Sequence, residues 1–118
     1  MTSSSTRDIS DGTLALRIAD DGTECMIVLR GELDLANAGT AETALETALA
    51  SGMPVVLDMR ALEFIDSTGI ALLVRAIQGD GSAGRLSFVP SEFDAVNKVL
   101  ALTGVDERMA LAEGSAPA

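Results

Sequence analysis

An α/β fold is predicted for these 118 residues. We expect a mixed, mostly parallel sheet of four to five strands, with three helices, or four if the last segment forms one. Short apolar runs typical of strands alternate along the chain with segments whose apolar residues recur at helical spacing. This alternation favours helices packed on a largely parallel sheet. An Asp-Gly turn signal at residues 21–22 indicates that the sheet begins with an antiparallel hairpin.

The chain is expected to form one domain with two short flanking segments. Residues 1–12 are polar and rich in Ser and Thr, which predicts a flexible N-terminal arm. Residues 113–118 contain Gly114 and Pro117 and are predicted to be a C-terminal tail. The domain between them, residues 13–112, is long enough to bury a hydrophobic core without metal or disulfide.

Four strands are predicted from apolar runs. The first run alternates apolar and polar residues, which predicts a half-buried strand. The second is continuously apolar, which predicts burial on both faces. The predicted strands are 14–18, 25–30, 55–59 and 85–89, and residues 109–111 are compatible with a short fifth strand.

The first predicted helix follows Asp34, which is placed to cap it, and runs to Gly52. The residues expected to form its buried face share three- and four-residue spacing; they are Leu35, Ala38, Ala41, Leu45 and Ala48.

Two further helices follow the strands. The second, 68–78, has an apolar stripe that leaves Leu72 pointing away from the core. That stripe consists of Ile70, Leu73, Val74 and Ile77. The third is predicted to bury Phe93, Val96 and Leu100 and to end at Gly104.

Composition limits the classes of partner and compartment. Apolar residues make up 47% of the chain, with neither Trp nor Tyr, so the core must be aliphatic. The net charge of −10 argues against nucleic acid and anionic lipid and is compatible with a basic protein partner. The single cysteine, Cys25, is expected to be a buried hydrophobe in a reducing compartment. With no membrane-spanning run or signal peptide, we expect a cytoplasmic protein without stable membrane association.

The sequence lacks the residues of common enzyme classes. It contains no histidine, which removes the usual general base and the commonest metal ligand. It has no phosphate-binding G-x-x-x-x-G-K-[ST] loop and no paired-cysteine spacing for zinc. Ser67 has no histidine to activate it, and the only lysine, Lys98, lies on another helix. We therefore expect neither catalytic residues nor a metal site.

One metal-dependent alternative rests on three aspartates. Asp34, Asp58 and Asp66 each end or follow an apolar strand, and such carboxylates can converge at one edge of an α/β sheet. A phosphoaspartate receiver would use them with Mg²⁺ and a lysine beyond a later strand, but no lysine follows the strand that ends at Pro90. The simpler interpretation is that these aspartates cap helices and turns.

The junction between the third predicted strand and the second helix reads Asp66-Ser67-Thr68-Gly69. Either Asp66 or Ser67 suits the N-cap position, because a side-chain oxygen there accepts an orphan backbone N–H. A phosphate at this position would be expected to meet free N–H donors and the positive end of the helix dipole.

A set of ordered motifs carries a family resemblance over about residues 13–111. FIDSTGIALLV (64–74) follows VVLDM (55–59), GELDLANA precedes both, and RLSFV with Pro90 and then VNKVLALTGVD come after. This set resembles STAS domains of the anti-sigma factor antagonist type. The resemblance implies a STAS-like single domain, expected to be a monomer, that acts by binding.

The resemblance also implies a phosphorylation switch. In that family the serine that opens this helix is phosphorylated by the partner, an anti-sigma factor that is a serine kinase and supplies ATP and Mg²⁺. That serine is Ser67 here, with Thr68 as a secondary acceptor. The unphosphorylated form would bind the kinase and free the sigma factor that the kinase holds. Phosphorylation of Ser67 would switch this binding off, and a serine phosphatase would restore the binding-competent form. The expected partner-binding residues are Asp34, Asp66, Ser67, Thr68, Gly69, Ala71, Leu72 and Arg75.

A different class of function remains open at this point. The same domain could be a regulatory or structural subunit of a membrane transporter or of a large sensory assembly. Such a protein would co-purify with membranes or form large particles.

Overall fold

The computed structural model describes residues 4–112, which form a five-stranded mixed sheet with three α-helices. The strands are β1 (Ser5–Asp11), β2 (Leu14–Asp20), β3 (Cys25–Leu33), β4 (Val55–Ile65) and β5 (Leu86–Val89). The helices are α1 (Ala38–Ala50), α2 (Ser67–Asp80) and α3 (Asp94–Leu102), and short 3-10 helices span Gly81–Ala83 and Val105–Arg108.

The strands lie in chain order across the sheet. β1 and β2 pair antiparallel, as do β2 and β3, whereas β3–β4 and β4–β5 are parallel. The predicted α/β class and single domain are therefore confirmed. The sheet is evenly mixed rather than mostly parallel, because a third strand extends the predicted hairpin.

That third strand corrects the prediction of a flexible arm over residues 1–12. Ser5–Asp11 forms β1 and pairs with β2 along its whole length, from Ser5 opposite Asp20 to Asp11 opposite Leu14. Its only apolar residue is the half-buried Ile9, so hydrophobic patterning does not reveal it. Charged, exposed side chains are typical of edge strands, which they protect from further pairing.

All three helices bury their apolar residues in one core, against alternate residues of the sheet. Ile27, Leu57 and Phe88 are aligned across neighbouring strands and belong to this core. Their neighbours Val28 and Asp58 point to the other face of the sheet, where Val28 is only half-buried. The prediction that strand 25–30 is buried on both faces is therefore wrong, whereas the buried position of Cys25 is confirmed.

The central strands extend well beyond their predicted ends. β3 continues to Leu33 and β4 to Ile65, and these two residues are paired in the parallel ladder. The turn after β3 and the start of α2 after β4 consequently lie side by side. Two segments separated by about thirty residues in the sequence are joined here by sheet register alone.

The first helix begins later than predicted. It starts at Ala38, and Leu35 lies before it with 77% of its surface exposed. Leu35 is therefore not part of the buried face, although Ala41, Leu45 and Ala48 are.

The second helix buries more than the predicted face, whose residues all pack against the core. Leu72 is only 2% exposed and Leu73 is fully buried, while Ile70, Val74 and Ile77 are half-buried. Because α1 packs alongside α2 as well as the sheet beneath it, the helix must bury two sides. The prediction that Leu72 faces outward is wrong for this reason.

The last described elements close the far edge of the sheet. α3 buries Val96 and Leu100 as predicted, but Phe93 precedes the helix and is 41% exposed. The further strand predicted at residues 109–111 is reduced to a single parallel bridge between Leu111 and Phe88. Within residues 4–112 the segment after α3 forms a 3-10 helix and no fourth α-helix. The predicted tail, 113–118, lies outside the described residues, as does the very start of the predicted arm.

Candidate partner-binding site

Asp66 is the N-cap of α2. Its Oδ1 accepts hydrogen bonds from the backbone N–H groups of Thr68 at 2.9 Å and Gly69 at 3.0 Å. Asp66 has an extended backbone, with φ −103° and ψ −175°, as N-cap residues usually do. Of the two candidates left open by the sequence, Asp66 is therefore the cap, and Ser67 is the first residue of the helix.

The other carboxylate oxygen of Asp66 binds the turn after β3. Oδ2 accepts a hydrogen bond from the backbone N–H of Leu35 at 3.0 Å, and the Asp66 N–H donates to the Leu33 carbonyl at 3.2 Å. One side chain thus joins the start of α2 to residues 34–37. This connection fixes the position of Leu35 beside the start of the helix.

Asp34 and Asn37 stabilise the turn from within. Asp34 Oδ1 accepts from the Ala36 N–H at 3.0 Å, while Asn37 Oδ1 accepts from the Asp34 N–H at 3.0 Å. The Asn37 amide nitrogen donates to the Glu32 carbonyl at 3.0 Å, and Asn37 is 1% exposed. Asp34 shapes the turn and does not cap α1, which corrects its predicted role. Asn37 was missed, although Asn in a turn before a helix is a recognisable signal.

Ser67 is exposed at the first position of α2. Among the hydrogen bonds of residues 4–112, none uses its hydroxyl, whereas Thr68 one position later is half-buried. The Ser67 hydroxyl is the more accessible of the two. Its accessibility agrees with the predicted order of acceptors, although modification itself remains a prediction.

The helix start offers a phosphate fewer donors than the sequence suggested. Asp66 already occupies the N–H groups of Thr68 and Gly69. A phosphate on Ser67 would lie next to the Asp66 carboxylate and would not take its place at these N–H groups. Two neighbouring negative charges repel each other. Two of the N–H donors that were expected to be free are therefore already bound.

Exposed apolar side chains lie at the same end of the sheet. Leu35 is 77% and Phe64 46% exposed, and Leu35 is fixed beside Asp66 by its backbone hydrogen bond. Both were missed as candidate contact residues, because Leu35 fits a helical stripe and Phe64 fits a strand. We use "Ser67 surface" for Asp34, Leu35, Asp66, Ser67 and Thr68.

Gly69 lies beneath this surface rather than on it. It is buried, and a Cβ there would lie 2.6 Å from Ile65 Cγ1 and 3.0 Å from Leu33 Cγ. The helix can approach the ends of β3 and β4 only because this residue has no side chain. Gly69 therefore acts through close packing and offers no atoms of its own to a partner.

The remaining predicted contact residues lie further along α2. Ala71 is half-buried, Leu72 is buried, and Arg75 is exposed. Arg75 Nε donates to Glu42 Oε2 of α1 at 2.7 Å, and this hydrogen bond lowers the pKa of Glu42. Of the eight predicted contact residues, the structure leaves Gly69 and Leu72 inaccessible.

Asp58 does not join Asp34 and Asp66. Its carboxylate is buried on the face of the sheet opposite the helices and is paired with Arg60 at 2.7 Å. Within residues 4–112, no cluster of three or more His, Cys, Asp or Glu side chains is arranged to hold a metal. The convergence of aspartates required by the receiver hypothesis is therefore not formed.

Ionised Asp58 is expected to stabilise the fold above about pH 4. Burial raises the pKa of Asp58, but the hydrogen bonds and charge of Arg60 outweigh it and hold the pKa below the usual 3.8. A lowered folded-state pKa contributes stability above the unfolded value, and this is lost as the pH falls through the folded value. Asp58→Asn should therefore lower the free energy of unfolding by about 1–3 kcal/mol at pH 7. The difference from wild type should shrink below pH 3.8.

Urea unfolding at several pH values measures this difference. Asp8→Asn is the matched control, because the Asp8–Arg17 pair has the same chemistry at 64% and 60% side-chain exposure. Exposed pairs contribute little, so that variant should stay close to wild type throughout. A pH-independent effect of Asp58→Asn would contradict the expectation.

Asp66→Ala is expected to lower the free energy of unfolding by about 2 kcal/mol. The substitution removes the cap of α2, typically about 0.5–2 kcal/mol, together with the hydrogen bond to Leu35. Asp66→Asn is the matched control, because an amide oxygen can still cap the helix, and we expect a smaller loss. Urea denaturation distinguishes them, and equal stability of the Ala and Asn variants would show that the cap is unimportant.

None of the helices within residues 4–112 is both long and apolar enough to span a membrane.

Comparison with known proteins agrees with this architecture. A family profile described as "Mlab, STAS domain" matches residues 16–113. No curated protein sequence gives a significant match.

Several solved structures have the same fold. An anti-sigma factor antagonist from Mycobacterium paratuberculosis is 23% identical, with a TM-score of 0.69 over 94% of this chain and 86% of that one. The Bacillus cell fate determinant SpoIIAA, in its phosphorylated form, is 22% identical, with a TM-score of 0.57 over 93% of each chain. A candidate anti-sigma factor antagonist from Thermotoga maritima is 26% identical, with a TM-score of 0.59 over 73% of this chain and 77% of that one.

The protein is therefore a single α/β domain with a mixed sheet, in which one helix starts at an exposed serine. Since the profile covers most of the sequence, the chain belongs to the STAS domain family.

Proposed function

We propose that this protein is an anti-sigma factor antagonist that acts by binding and is switched off by phosphorylation of Ser67. Three of the structures that it resembles are described as antagonists or candidate antagonists of this kind or as SpoIIAA in its phosphorylated form. The observation that carries the proposal is local. Ser67 presents an exposed hydroxyl at the start of α2, beside the turn of residues 34–37 that Asp66 holds in place.

In the unphosphorylated state, the Ser67 surface would bind an anti-sigma factor serine kinase and release the sigma factor that the kinase holds. Leu35 offers exposed apolar area at its edge, which is typical of the contact residues of an interface. Ala71 and Arg75 extend the contact along α2. The turn and the helix start are already hydrogen-bonded to each other, so little ordering is required on binding.

Phosphorylation is a transfer that the kinase performs. The Ser67 oxygen attacks the γ-phosphorus of ATP held with Mg²⁺ by the kinase, the bond to the β-phosphate oxygen breaks, and ADP leaves. The Ser67 proton passes to a base of the kinase, since this sequence contains no histidine. A serine phosphatase would hydrolyse the ester and restore binding. Thr68 is a secondary acceptor, limited by its half-buried position.

The phosphate would disrupt binding through charge and bulk. It adds about −1.5 to −2 charge units beside Asp66, and Asp34 lies in the adjoining turn. Two N–H groups of the first turn, those of Thr68 and Gly69, are bound to Asp66 and are not free to neutralise a phosphate. The added charge would therefore remain at the surface and repel acidic partner groups, while the fold stays unchanged.

The proposal extends to the setting of the protein. It is a cytoplasmic monomer that catalyses no reaction, binds no cofactor of its own and binds neither nucleic acid nor membrane. The net charge of −10 supports a protein partner over a polyanionic one.

Mass spectrometry after incubation with the candidate kinase and ATP tests the proposal. We expect one added phosphate on the peptide containing Ser67, lost in Ser67→Ala and retained in Thr68→Ala. No phosphate on Ser67 from any candidate kinase would overturn the switch. Co-purification with membranes or in large particles would then favour a transporter subunit or a sensory assembly.

A further inference from the structure

A groove of about 440 Å³ lies between α1 and α2. Its open apolar lining comes from Leu49 and Ala50 of α1 and from Ala76 of α2, above Leu45 and Leu72, which are each only 2% exposed. Its volume is within the range of about 300–1,000 Å³ that is typical of small-molecule sites, which combine apolar walls with a few polar groups. The groove shares Arg75 with the contact proposed along α2 but does not include Ser67.

Three charged side chains in the groove satisfy one another. Arg75 bonds to Glu42 at 2.7 Å, and Glu46 also acts electrostatically on Arg75. The two acids and one base therefore form a local group with no positive charge left over. An anion would be repelled at this end of the groove.

Arg85 is the fourth charged residue of the lining, and its charge is not matched. Its Nε is buried without a hydrogen-bond partner, the only buried side-chain nitrogen or oxygen in that condition within residues 4–112. Arg85 also takes part in none of the ion pairs of this part of the chain. The nearby Asp80 carboxylate accepts from the backbone N–H groups of Arg85 and Leu86 instead. A buried donor without an acceptor lowers stability, so Arg85 has hydrogen-bonding capacity that residues 4–112 leave unsatisfied.

We propose that this groove binds a small amphipathic anion, with its apolar chain against Leu49 and Ala76 and its carboxylate or phosphate head on Arg85. The apolar lining supplies affinity through burial of the chain. The guanidinium supplies selectivity, because charge-assisted hydrogen bonds to a planar fork are stronger than neutral ones. The site does not depend on the proposed role of Ser67.

Calorimetric titration with decanoate below its micelle concentration tests this site, with decanol as the uncharged counterpart. We expect saturable one-to-one binding of decanoate, and affinity for decanol lower by about tenfold or more. Methyl signals of Leu49, Ala50 and Ala76 should shift in NMR spectra recorded during the titration. Non-saturable binding, equal affinity for both ligands, or shifts confined to other parts of the protein would overturn the proposal.

Arg85→Met tests the head-group contact. It should reduce the affinity for decanoate to about that of decanol and leave decanol binding unchanged. Arg30→Met is the matched control, because Arg30 is an exposed arginine on the opposite face of the sheet, and it should bind decanoate like wild type. Unchanged decanoate affinity in Arg85→Met would exclude the assigned site. If that variant does not fold, the comparison of decanoate with decanol on the wild type still decides the question.

Discussion

Ser67→Asp is expected to weaken binding to the anti-sigma factor kinase by at least about 30-fold. The substitution adds a negative charge to the Ser67 surface, and like charges brought together across an interface cost several kcal/mol. A loss of 2–3 kcal/mol corresponds to about 30- to 150-fold in the dissociation constant. Because Asp66 already binds the N–H groups of Thr68 and Gly69, these two donors cannot neutralise the new charge. Titration calorimetry with the kinase measures the change.

Two variants serve as controls for this measurement. Ser67→Ala should bind nearly as well as wild type and should resist the loss of binding that ATP causes in wild type. Ser82→Asp adds the same charge at an exposed position in the 3-10 helix after α2, and should leave affinity unchanged. Equal weakening by Ser67→Asp and Ser82→Asp would show a general effect of net charge and contradict a local switch.

Gly31→Ala is expected to lower the free energy of unfolding by about 3 kcal/mol or more. Gly31 has φ +96°, and a Cβ there would overlap the backbone carbonyl oxygen of Thr13. That oxygen also accepts the Glu32 N–H at 3.1 Å, so it cannot move freely. A left-handed conformation costs a residue with a Cβ about 1–2 kcal/mol, and forced overlap in packed surroundings about 1–3 kcal/mol more. Urea unfolding measures the sum.

Gly39→Ala is the matched control, because a Cβ at Gly39 of α1 would meet no atom within 4 Å. Alanine is preferred to glycine in a helix by about 0.5–1 kcal/mol, so this variant should be slightly more stable than wild type. If Gly31→Ala were as stable as wild type, the close approach of Thr13 would not constrain β3 at the register shift between Gly31 and Glu32.

The fold class could be predicted because the signals are local. The predicted core residues Leu45, Val96 and Leu100 are buried, since periodic spacing places them on one side of an element wherever that element packs. β1 could not be predicted in the same way. Its single half-buried apolar residue, Ile9, gives no pattern, and the strand is held by backbone pairing with β2.

The candidate site was only partly predictable. Residue type at the strand–helix junction predicts where the helix starts and that either Asp66 or Ser67 caps it. The structure assigns the cap to Asp66. The exposure of Leu35 and the burial of Leu72 could not be predicted, because helical spacing gives the faces of a helix and not what packs against them.

By itself, the sequence determined the order of helices and strands after β1, the aliphatic core, and the position of a serine at the start of a helix, because each depends on residues close together in the chain. Only the tertiary structure decided that Leu33 and Ile65 lie side by side and that Asp66 binds Leu35 across this junction. It also decided that Asp58 pairs with Arg60 on the opposite face of the sheet. These contacts depend on strand register and helix packing, which join residues that are distant in sequence and leave no local pattern.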